Sequence, residues 1–271
     1  MISPPLVTLI IPNYKTLELT KLCLRSIRKH TDFNLAKIIV IDNHSKDEST
    51  DYLRSLNWIT LIERQPEEND TPPLSHSRAL DLAFQQVNTP YVLVMHTDTI
   101  VFHSKWLEFL LSKIQNENKI AGVGSWKLEH KSPAQRFTKF IEKYIQLVWY
   151  KLINKKEHAI QGMGKNYYYL RSHCALFRTD LIRELNLTFS DENENAGKVM
   201  CRKLQEAGYQ LTYIPSVELG KYMMHINHAT TVLNPDLGSR KKSIDKGTKR
   251  INQALKKICA EKMMMDDLLD K

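Results

Sequence analysis

The run YVLVMHTD at residues 91–98 decides the fold class of this chain. Its first five residues, Tyr91 to Met95, include no charged side chain, which is typical of a strand buried on both faces. The run then ends in a polar tip with one carboxylate, Asp98. Ligands of open α/β sheets bind outside the carboxyl ends of the strands. A carboxylate at this end is therefore well placed to hold a divalent cation against a diphosphate.

Asp98 also has a purely structural interpretation. Asp is a preferred N-cap residue, and the positions that follow it, Trp106, Leu107 and Leu110, have helical spacing. The run by itself therefore leaves a metal ligand and a helix cap both open, and the choice between them depends on the rest of the chain.

Strand and helix patterns alternate around this run. Apolar runs predict further strands at residues 6–11, 37–41, 58–62, 120–124 and 210–214. One or two more strands are expected in 167–178, and a helix at 195–207 is closed by Gly208 as its C′ residue. Strands that alternate with helices of this length predict a Rossmann-like α/β/α sandwich with a mostly parallel central sheet.

Residues 126–166 interrupt the alternation. Apolar and aromatic positions from Phe137 to Leu152 have helical spacing, and basic residues lie between them: Arg136, Lys139, Lys143 and Lys151. Such a helix could lie on an anionic membrane surface or pack on the sheet as a cover. The tail, residues 234–271, is also basic and is predicted to end in a helix.

Composition limits the class of protein. The chain has 271 residues, of which 42% are hydrophobic and 25% charged, as in ordinary globular proteins. Its net charge of +9 favours anionic partners. The four cysteines form no C-x-x-C pair, and no stretch reaches the roughly 18 apolar residues of a membrane span. We therefore expect a cytoplasmic protein with reduced thiols, with a contact to the inner face of the membrane through its basic segments.

Polar residues follow three of the predicted strands. They are the groups Pro12–Asn13–Tyr14, Asp42–Asn43 and His96–Thr97–Asp98. The three groups converge if the sheet is doubly wound, and Asp42 could then accept a hydrogen bond from a base imide or a ribose hydroxyl. The alternative is that Asp42 and Asn43 are simply turn residues.

Several runs carry a resemblance to a known family. The runs VTLIIPNYKTLELTKLCLRSIRKHT (7–31), KIIVIDNHSKDES (37–49) and HSRALDLAFQQVNTPYVLVMHTDTIV (76–101) resemble the family-2 glycosyltransferases of the GT-A fold. The runs LRSHCALFRTDLI (170–182) and VMCRKLQEAGYQLTYIP (199–215) resemble a later strand and helix of that family. The resemblance extends over roughly residues 6–230.

The resemblance implies a GT-A domain at 1–233, with a nucleotide-binding half (1–125) and an acceptor-side half (126–233). It implies an inverting transfer of sugar from a nucleotide donor, expected to be a UDP- or dTDP-sugar, to a saccharide or glycolipid hydroxyl in cell-surface polysaccharide synthesis. It also implies Mn²⁺ or Mg²⁺ on Asp98. The donor would contact the following residues: Pro12, Asn13, Tyr14, Asp42, Asn43, His76, His96 and Thr97.

The chain departs from the family at the metal motif. His96 replaces the first acid of the family's D-x-D pattern, and an imidazole suits a transition metal better than Mg²⁺. We therefore expect His96 to hydrogen-bond the ribose or a phosphate. The family often places a histidine near His225 and His228, and Asp98 with His225 is the preferred metal pair. Two surface or core histidines, or a helical zinc pair, are the alternatives.

A second departure concerns the general base. Many members carry an E-D pair before the late helix, where this chain has Ala196 and Gly197. We expect the base at Glu194 or Asp191, with Glu192 as the third candidate. The competing interpretation is that Asp191 and Glu194 form a capping box. The rival functions are a catalytically inactive nucleotide-binding protein and a nucleic-acid binder, and the chain lacks any nucleic-acid motif that would support the second.

Overall fold

A computed structural model of the chain describes residues 4–128, 133–152, 164–226 and 260–271, and positions 162, 229, 232, 234, 251 and 256. The strands are β1 (Val7–Asn13), β2 (Ala36–Asp42), β3 (Thr60–Glu63), β4 (Tyr91–Met95), β5 (Thr99–Val101), β6 (Ile120–Gly124), β7 (Cys174–Arg178), β8 (Gln210–Tyr213) and β9 (Met223–His225). The helices are α1 (Leu17–His30), α2 (Glu48–Ser55), α3 (Pro72–Phe84), α4 (Trp106–Ile114), α5 (Pro133–Leu152), α6 (Thr179–Glu184), α7 (Lys198–Glu206), α8 (Ser216–Leu219) and α9 (Ala260–Met264).

Seven of these strands form one sheet in the order β3-β2-β1-β4-β7-β6-β8. Among them, β7 runs antiparallel to both of its neighbours, and the other pairs are parallel. Consecutive strands extend from β1 to one edge, and the order reverses between β1 and β4. The carboxyl ends of β1 and β4 therefore form the crevice where α/β sheets bind ligands. The predicted mostly parallel α/β sheet is confirmed.

Helices cover both faces of the sheet, which explains why its central strands are continuously apolar. One buried cluster joins α1, α2 and α4 to the sheet, and its fully buried residues include Leu22, Leu53 and Trp106. The other joins α3, α6 and α7 to the opposite face through residues such as Leu80, Ile182 and Met200. The two layers hold the strand ends, and hence the site, in fixed positions.

Two short strands were not predicted from the sequence, and they determine the site. β5 follows Asp98 directly, and it pairs antiparallel with β9 so that Thr99 lies opposite His225. The amide of Ile226 also donates to the carbonyl of Asp98 at 2.8 Å. Asp98 therefore precedes a strand, and the interpretation of Asp98 as the cap of the helix at Trp106 is wrong.

The later elements differ in detail from the prediction. The stretch 167–178 contains one described strand, β7, and α7 begins at Lys198 where the pattern predicted 195. Gly208 has φ 88° and follows the end of α7, as predicted for a C′ glycine. Cys23, Cys174 and Cys201 are buried free thiols, whereas Cys259 lies outside the described residues.

The end of the chain packs against α1. The guanidinium of Arg25, which is only 2% exposed, donates from Nε to Asp270 at 2.9 Å and forms an ion pair with Asp267. The Tyr52 hydroxyl also donates to Asp270 at 2.8 Å. Most of the predicted basic tail helix lies outside the described residues, but the end of the tail is in contact with the main domain.

Helix α5 exposes an apolar face. Phe140, Tyr144 and Trp149 are 70%, 63% and 60% exposed, and Ile145 is 61% exposed. These values do not support the interpretation of α5 as a cover helix packed on the sheet. Within the described part of the chain, no helix combines the length and the hydrophobicity that crossing a bilayer requires.

Candidate functional site

The ends of β1 and β2 carry the first group of predicted donor contacts. Parallel pairing aligns Asn13 with Asp42, and the Asn13 amide donates to Asp42 Oδ1 at 2.8 Å. Asp42 also accepts from the amide of Ser45 at 3.2 Å, from its hydroxyl, and from the Thr50 hydroxyl at 3.0 Å. The structure thus brings Asn13 and Asp42 together, but the hydrogen-bonding capacity of this carboxylate is largely used within the loop.

Asp42 also lines a cavity of about 490 Å³ between the ends of β2 and β3. Arg64 lines the same cavity and donates to the Asn43 side chain at 2.7 Å, while Asn43 donates to Ser75 at 2.8 Å. Asn43 is therefore fixed between the end of β3 and α3. Arg64 cannot be selected from the sequence alone, because its role depends on the pairing of β3 with β2.

Pro12 and Tyr14 flank Asn13 in different environments. Pro12 is buried in β1, whereas Tyr14 is partly exposed just after the strand. The Lys15 ammonium lies 5.4 Å from the centre of the Tyr14 ring, and the Lys15 amide donates to Ser45 at 2.8 Å. The loop after β1 is thus joined to the loop after β2, which leaves the Tyr14 ring at the edge of the crevice.

The end of β4 brings three metal-ligating side chains together, which we call the Asp98 cluster: His96, Asp98 and His225. Asp98 Oδ1 lies 3.0 Å from His225 Nε2 and 3.7 Å from His96 Nδ1. The three ligand atoms all lie within 4.8 Å of one another. The predicted pair of Asp98 and His225 is thus brought together by β5 and β9, with His96 beside it. Thr97 is buried in the turn between β4 and β5, and His228 lies outside the described residues.

A second layer of polar groups surrounds the Asp98 cluster. The Ser172 hydroxyl lies 2.8 Å from His96 Nε2 and 3.4 Å from His76 Nε2. The His173 ring stacks on that of His225 with 4.7 Å between ring centres. Ser172 and His173 were missed from the sequence, because only the antiparallel β7 places its first residues beside the end of β4.

Burial controls the charge of these groups. It lowers the pKa of His76 to about 4 and, together with the neighbouring His76, lowers that of His96 to about 3. Burial alone would raise the pKa of Asp98, but the facing His225 outweighs it and keeps that pKa below its usual value. Asp98 is therefore an ionised carboxylate and His96 a neutral imidazole, which are the forms that bind metals.

The residues of the Asp98 cluster fit a divalent cation. Asp98 Oδ1 and His225 Nδ1 are buried, and neither makes a hydrogen bond with any residue that the structure describes. The approach of His225 Nε2 to Asp98 is close in distance but lacks hydrogen-bond geometry. An unpaired buried carboxylate oxygen is costly, so a cation bound at Asp98 Oδ1 accounts for it, whereas His225 Nδ1 lies on the far side of its ring from Asp98.

The acids before α7 are all paired with basic residues. Glu194 lies 3.0 Å from Lys198, Glu192 2.6 Å from Arg202 and Asp191 2.9 Å from Lys203. α7 begins after Gly197, so Asp191 and Glu194 do not cap it, and the capping-box interpretation is wrong. Asp191 also accepts a hydrogen bond from Thr188, whereas Glu194 is 45% exposed and bound by one lysine in the described structure.

Comparisons with known proteins agree with this architecture. Residues 8–185 match the model of the family described as Glycosyl transferase family 2. The teichoic acid poly(glycerol phosphate) polymerase of Staphylococcus epidermidis is 25% identical over 240 residues, which are 84% of this chain and 27% of that protein. The chain thus spans about a quarter of the length of this curated relative.

Solved structures share the fold. Residues 1–349 of S. aureus TarS give a TM-score of 0.54 at 14% identity, over 93% of this chain and 72% of that one. The mannosyltransferase PcManGT from Pyrobaculum calidifontis, solved with GDP-Man and Mn²⁺, gives 0.54 at 17% identity, over 79% and 56%. The family match covers more than half of the chain, and we conclude that the chain belongs to glycosyltransferase family 2.

Proposed function

We propose that the chain is an inverting glycosyltransferase that moves a sugar from a nucleoside-diphosphate donor to a hydroxyl of a saccharide or glycolipid. The observation that carries this proposal is the Asp98 cluster at the carboxyl end of β4, with one unpaired buried carboxylate oxygen, Asp98 Oδ1, at the point where the strand order reverses. Membership of glycosyltransferase family 2 supports the same reaction class.

The donor side of the reaction uses the strand ends. The nucleoside lies against Pro12, Tyr14 and the Asn13–Asp42 pair, and the diphosphate lies over the Asp98 cluster. A UDP- or dTDP-sugar is the proposed donor, and a solved complex of TarS with UDP-GlcNAc supports a uridine nucleotide. Asp98 and His225 hold the divalent cation, Mn²⁺ or Mg²⁺, which supplies positive charge to the leaving diphosphate. The partly exposed rings of His96 and His76 lie beside this side of the cluster, with 5.0 Å between their centres.

The acceptor side requires one general base. Inversion places that base opposite the leaving diphosphate, within about 2.6–3.2 Å of the acceptor hydroxyl. Glu194 is the favoured candidate, because it is exposed and its lysine contact can be exchanged for the acceptor. Asp191 is second, because a threonine hydroxyl and Lys203 both bind its carboxylate. Glu192 remains the third candidate.

Cell-surface polymer synthesis is the proposed setting. The relative from S. epidermidis is a teichoic acid poly(glycerol phosphate) polymerase, and this similarity supports a saccharide or polyol-phosphate acceptor.

We further infer that α5 contacts the anionic inner surface of the membrane, because its apolar side chains are exposed and the same helix contains several lysines and an arginine. Flotation with anionic vesicles tests this contact.

A catalytically inactive nucleotide-binding protein is the second candidate function. The ion pairs of Asp191, Glu192 and Glu194 favour it, since each candidate base is already bound by a basic residue. The two functions differ in a single measurement. The purified chain is incubated with a series of nucleotide sugars, a bacterial glycolipid extract and Mn²⁺, and the released nucleoside diphosphate is measured.

If the chain is a transferase, nucleoside diphosphate should be released only with Mn²⁺ and with one class of donor. This release should be lost in Asp98→Ala. The variant Glu117→Ala is the control, because this acid is exposed and precedes the amino end of β6, whereas the cluster lies at the carboxyl end of the parallel strand β4. Stabilisation of the fold by a nucleotide sugar without any release would instead identify the inactive binding protein.

A further inference from the structure

His96 occupies the position of the first acid in the family's D-x-D pattern. We propose that His96 is a third protein ligand of the divalent cation, through Nδ1, and that the Asp98 cluster therefore selects a transition metal over Mg²⁺ and binds it before any nucleotide. This inference rests on the metal site of the proposed function. It adds His96 to the two ligands of the proposed function, and it specifies the class of ion, which the proposed function gives only as Mn²⁺ or Mg²⁺.

The distances within the cluster match a bound ion. Two atoms that each lie about 2.1 Å from a tetrahedral metal are about 3.4 Å apart. Asp98 Oδ1 lies 3.0 Å from His225 Nε2 and 3.7 Å from His96 Nδ1, on either side of that value. All three ligand atoms lie within 4.8 Å of one another, so the two imidazoles must move closer together for one ion to bind all three atoms.

Ser172 orients the His96 ring for this role. Its hydroxyl lies 2.8 Å from His96 Nε2, so that the opposite nitrogen, Nδ1, faces Asp98. Histidines that bind metals usually donate their other ring N–H to an oxygen acceptor, which fixes the tautomer with a lone pair toward the metal. In this proposal His96 Nε2–H donates to the Ser172 hydroxyl, and Ser172 is a positioning residue.

The donor set decides the class of ion. Imidazole nitrogen suits transition metals such as Zn²⁺, Fe²⁺ and Ni²⁺, and affinity for such sites is higher for Co²⁺ than for Mn²⁺, whereas Mg²⁺ takes oxygen ligands and retains several waters. Two imidazoles and one carboxylate fill three positions and leave the others to oxygen ligands such as those of a diphosphate. With three protein ligands, the ion should bind to the chain before the nucleotide does. With only two protein ligands, the ion could instead bind together with the diphosphate.

Direct metal binding tests the inference without measuring activity. The full chain is stripped of metal by chelation and titrated with Co²⁺ in the absence of nucleotide, with calorimetry and visible absorption as readouts. We expect one Co²⁺ per chain, an absorption band that reports nitrogen ligands, and retention of Co²⁺ against about a hundredfold excess of Mg²⁺.

Four variants, together with Asp98→Ala, distinguish the loss of a metal ligand from the loss of its orientation and from a loss of the fold. His96→Ala should weaken Co²⁺ binding at least tenfold, and Ser172→Ala should weaken it by about 10- to 100-fold. His96→Asp provides a carboxylate at the same position and should shift the preference toward Mg²⁺. His103→Ala is the matched control, because this histidine is exposed and outside the cluster, and it should bind Co²⁺ as the wild type does. Circular dichroism confirms that each variant is folded.

The outcomes distinguish this inference from the proposed function. If His96→Ala binds Co²⁺ like the wild type while Asp98→Ala does not, the role of His96 is refuted and the metal site remains. If neither substitution changes Co²⁺ binding, the metal site of the proposed function is refuted as well. Easy displacement of Co²⁺ by Mg²⁺ in the wild type would overturn the proposed selectivity.

Discussion

Asp42 and Asp98 occupy comparable positions but differ in their hydrogen bonding. Each follows the end of a strand next to β1, and they are 2% and 4% exposed. Asp42 accepts hydrogen bonds from Asn13, Ser45 and Thr50, whereas Asp98 Oδ1 has no hydrogen-bond partner among the described residues. A buried carboxylate whose hydrogen bonds are all made stabilises its loop, whereas a buried oxygen without one, such as Asp98 Oδ1, lowers stability unless a ligand binds it, although the backbone of Ala229 binds the same carboxylate. The comparison separates a carboxylate that supports the fold from one that is available for chemistry.

The largest expected effect is the loss of turnover in Asp98→Ala. Removal of the carboxylate removes the charged metal ligand, so donor turnover should fall by about 10³-fold or more. The free energy of unfolding, measured in a chelator, should change less than it does in Asp42→Ala. Normal turnover in this variant would mean that Asp98 is not a metal ligand.

The next effect concerns the base. Glu194→Gln keeps the shape of the side chain but cannot accept a proton, so turnover should fall by about 10²- to 10⁴-fold with little change in melting temperature. Glu206→Gln is the matched control, because this exposed acid pairs with Arg202 at the opposite end of α7 from Glu194. Equal turnover in the two variants would move the base to another residue, and Asp191→Asn would be the next variant to measure.

Asp42→Ala should differ from Asp98→Ala in that its main effect is on the stability of the fold. The substitution leaves buried donors on Asn13, Ser45 and Thr50 without an acceptor, so the free energy of unfolding should fall by about 1–3 kcal/mol. Affinity for uridine or thymidine diphosphate should fall by a similar free energy. Denaturant unfolding and calorimetry measure the two quantities. A stable variant with unchanged affinity would remove Asp42 from both the loop network and the donor site.

The smallest effect concerns helix α5. Replacement of exposed Phe140 and Trp149 with serine should reduce the fraction of protein that floats with anionic vesicles at low salt, while stability changes by less than about 0.5 kcal/mol. Binding should also decrease as salt rises, because salt screens the basic residues. Gln146→Ser, an exposed polar change on the same helix, is the control. Equal flotation of both variants would contradict a lipid contact through this face.

The sheet could be predicted from the sequence because its strands are buried on both faces. The run from Tyr91 to Met95 forms β4 with the predicted bounds, as does the run from Ile120 to Gly124 in β6. These strands depend on local apolar runs between turns, which a single sequence shows directly. The antiparallel direction of β7 has no such local cause, and it was not predicted.

The site was only partly predictable, because its contacts join distant parts of the chain. Asp98 could be selected from its position at the end of β4, but the short pairing of β5 with β9 brings His225 to it across more than a hundred residues. Ser172 reaches His96 for the same kind of reason. The ion pairs of Asp191 and Glu194 depend on where α7 begins, and helix boundaries are among the least certain features of a sequence-based prediction.

Anomalous diffraction from a crystal grown with Mn²⁺ and UDP tests whether the Asp98 cluster holds the metal of the donor site. We expect an Mn²⁺ peak at about 2.0–2.3 Å from Asp98 Oδ1 and His225 Nε2, with diphosphate oxygens on its open side and the loop hydrogen bonds of Asp42 intact. Bound UDP with no anomalous peak at the Asp98 cluster, or a peak held by other residues, would contradict it.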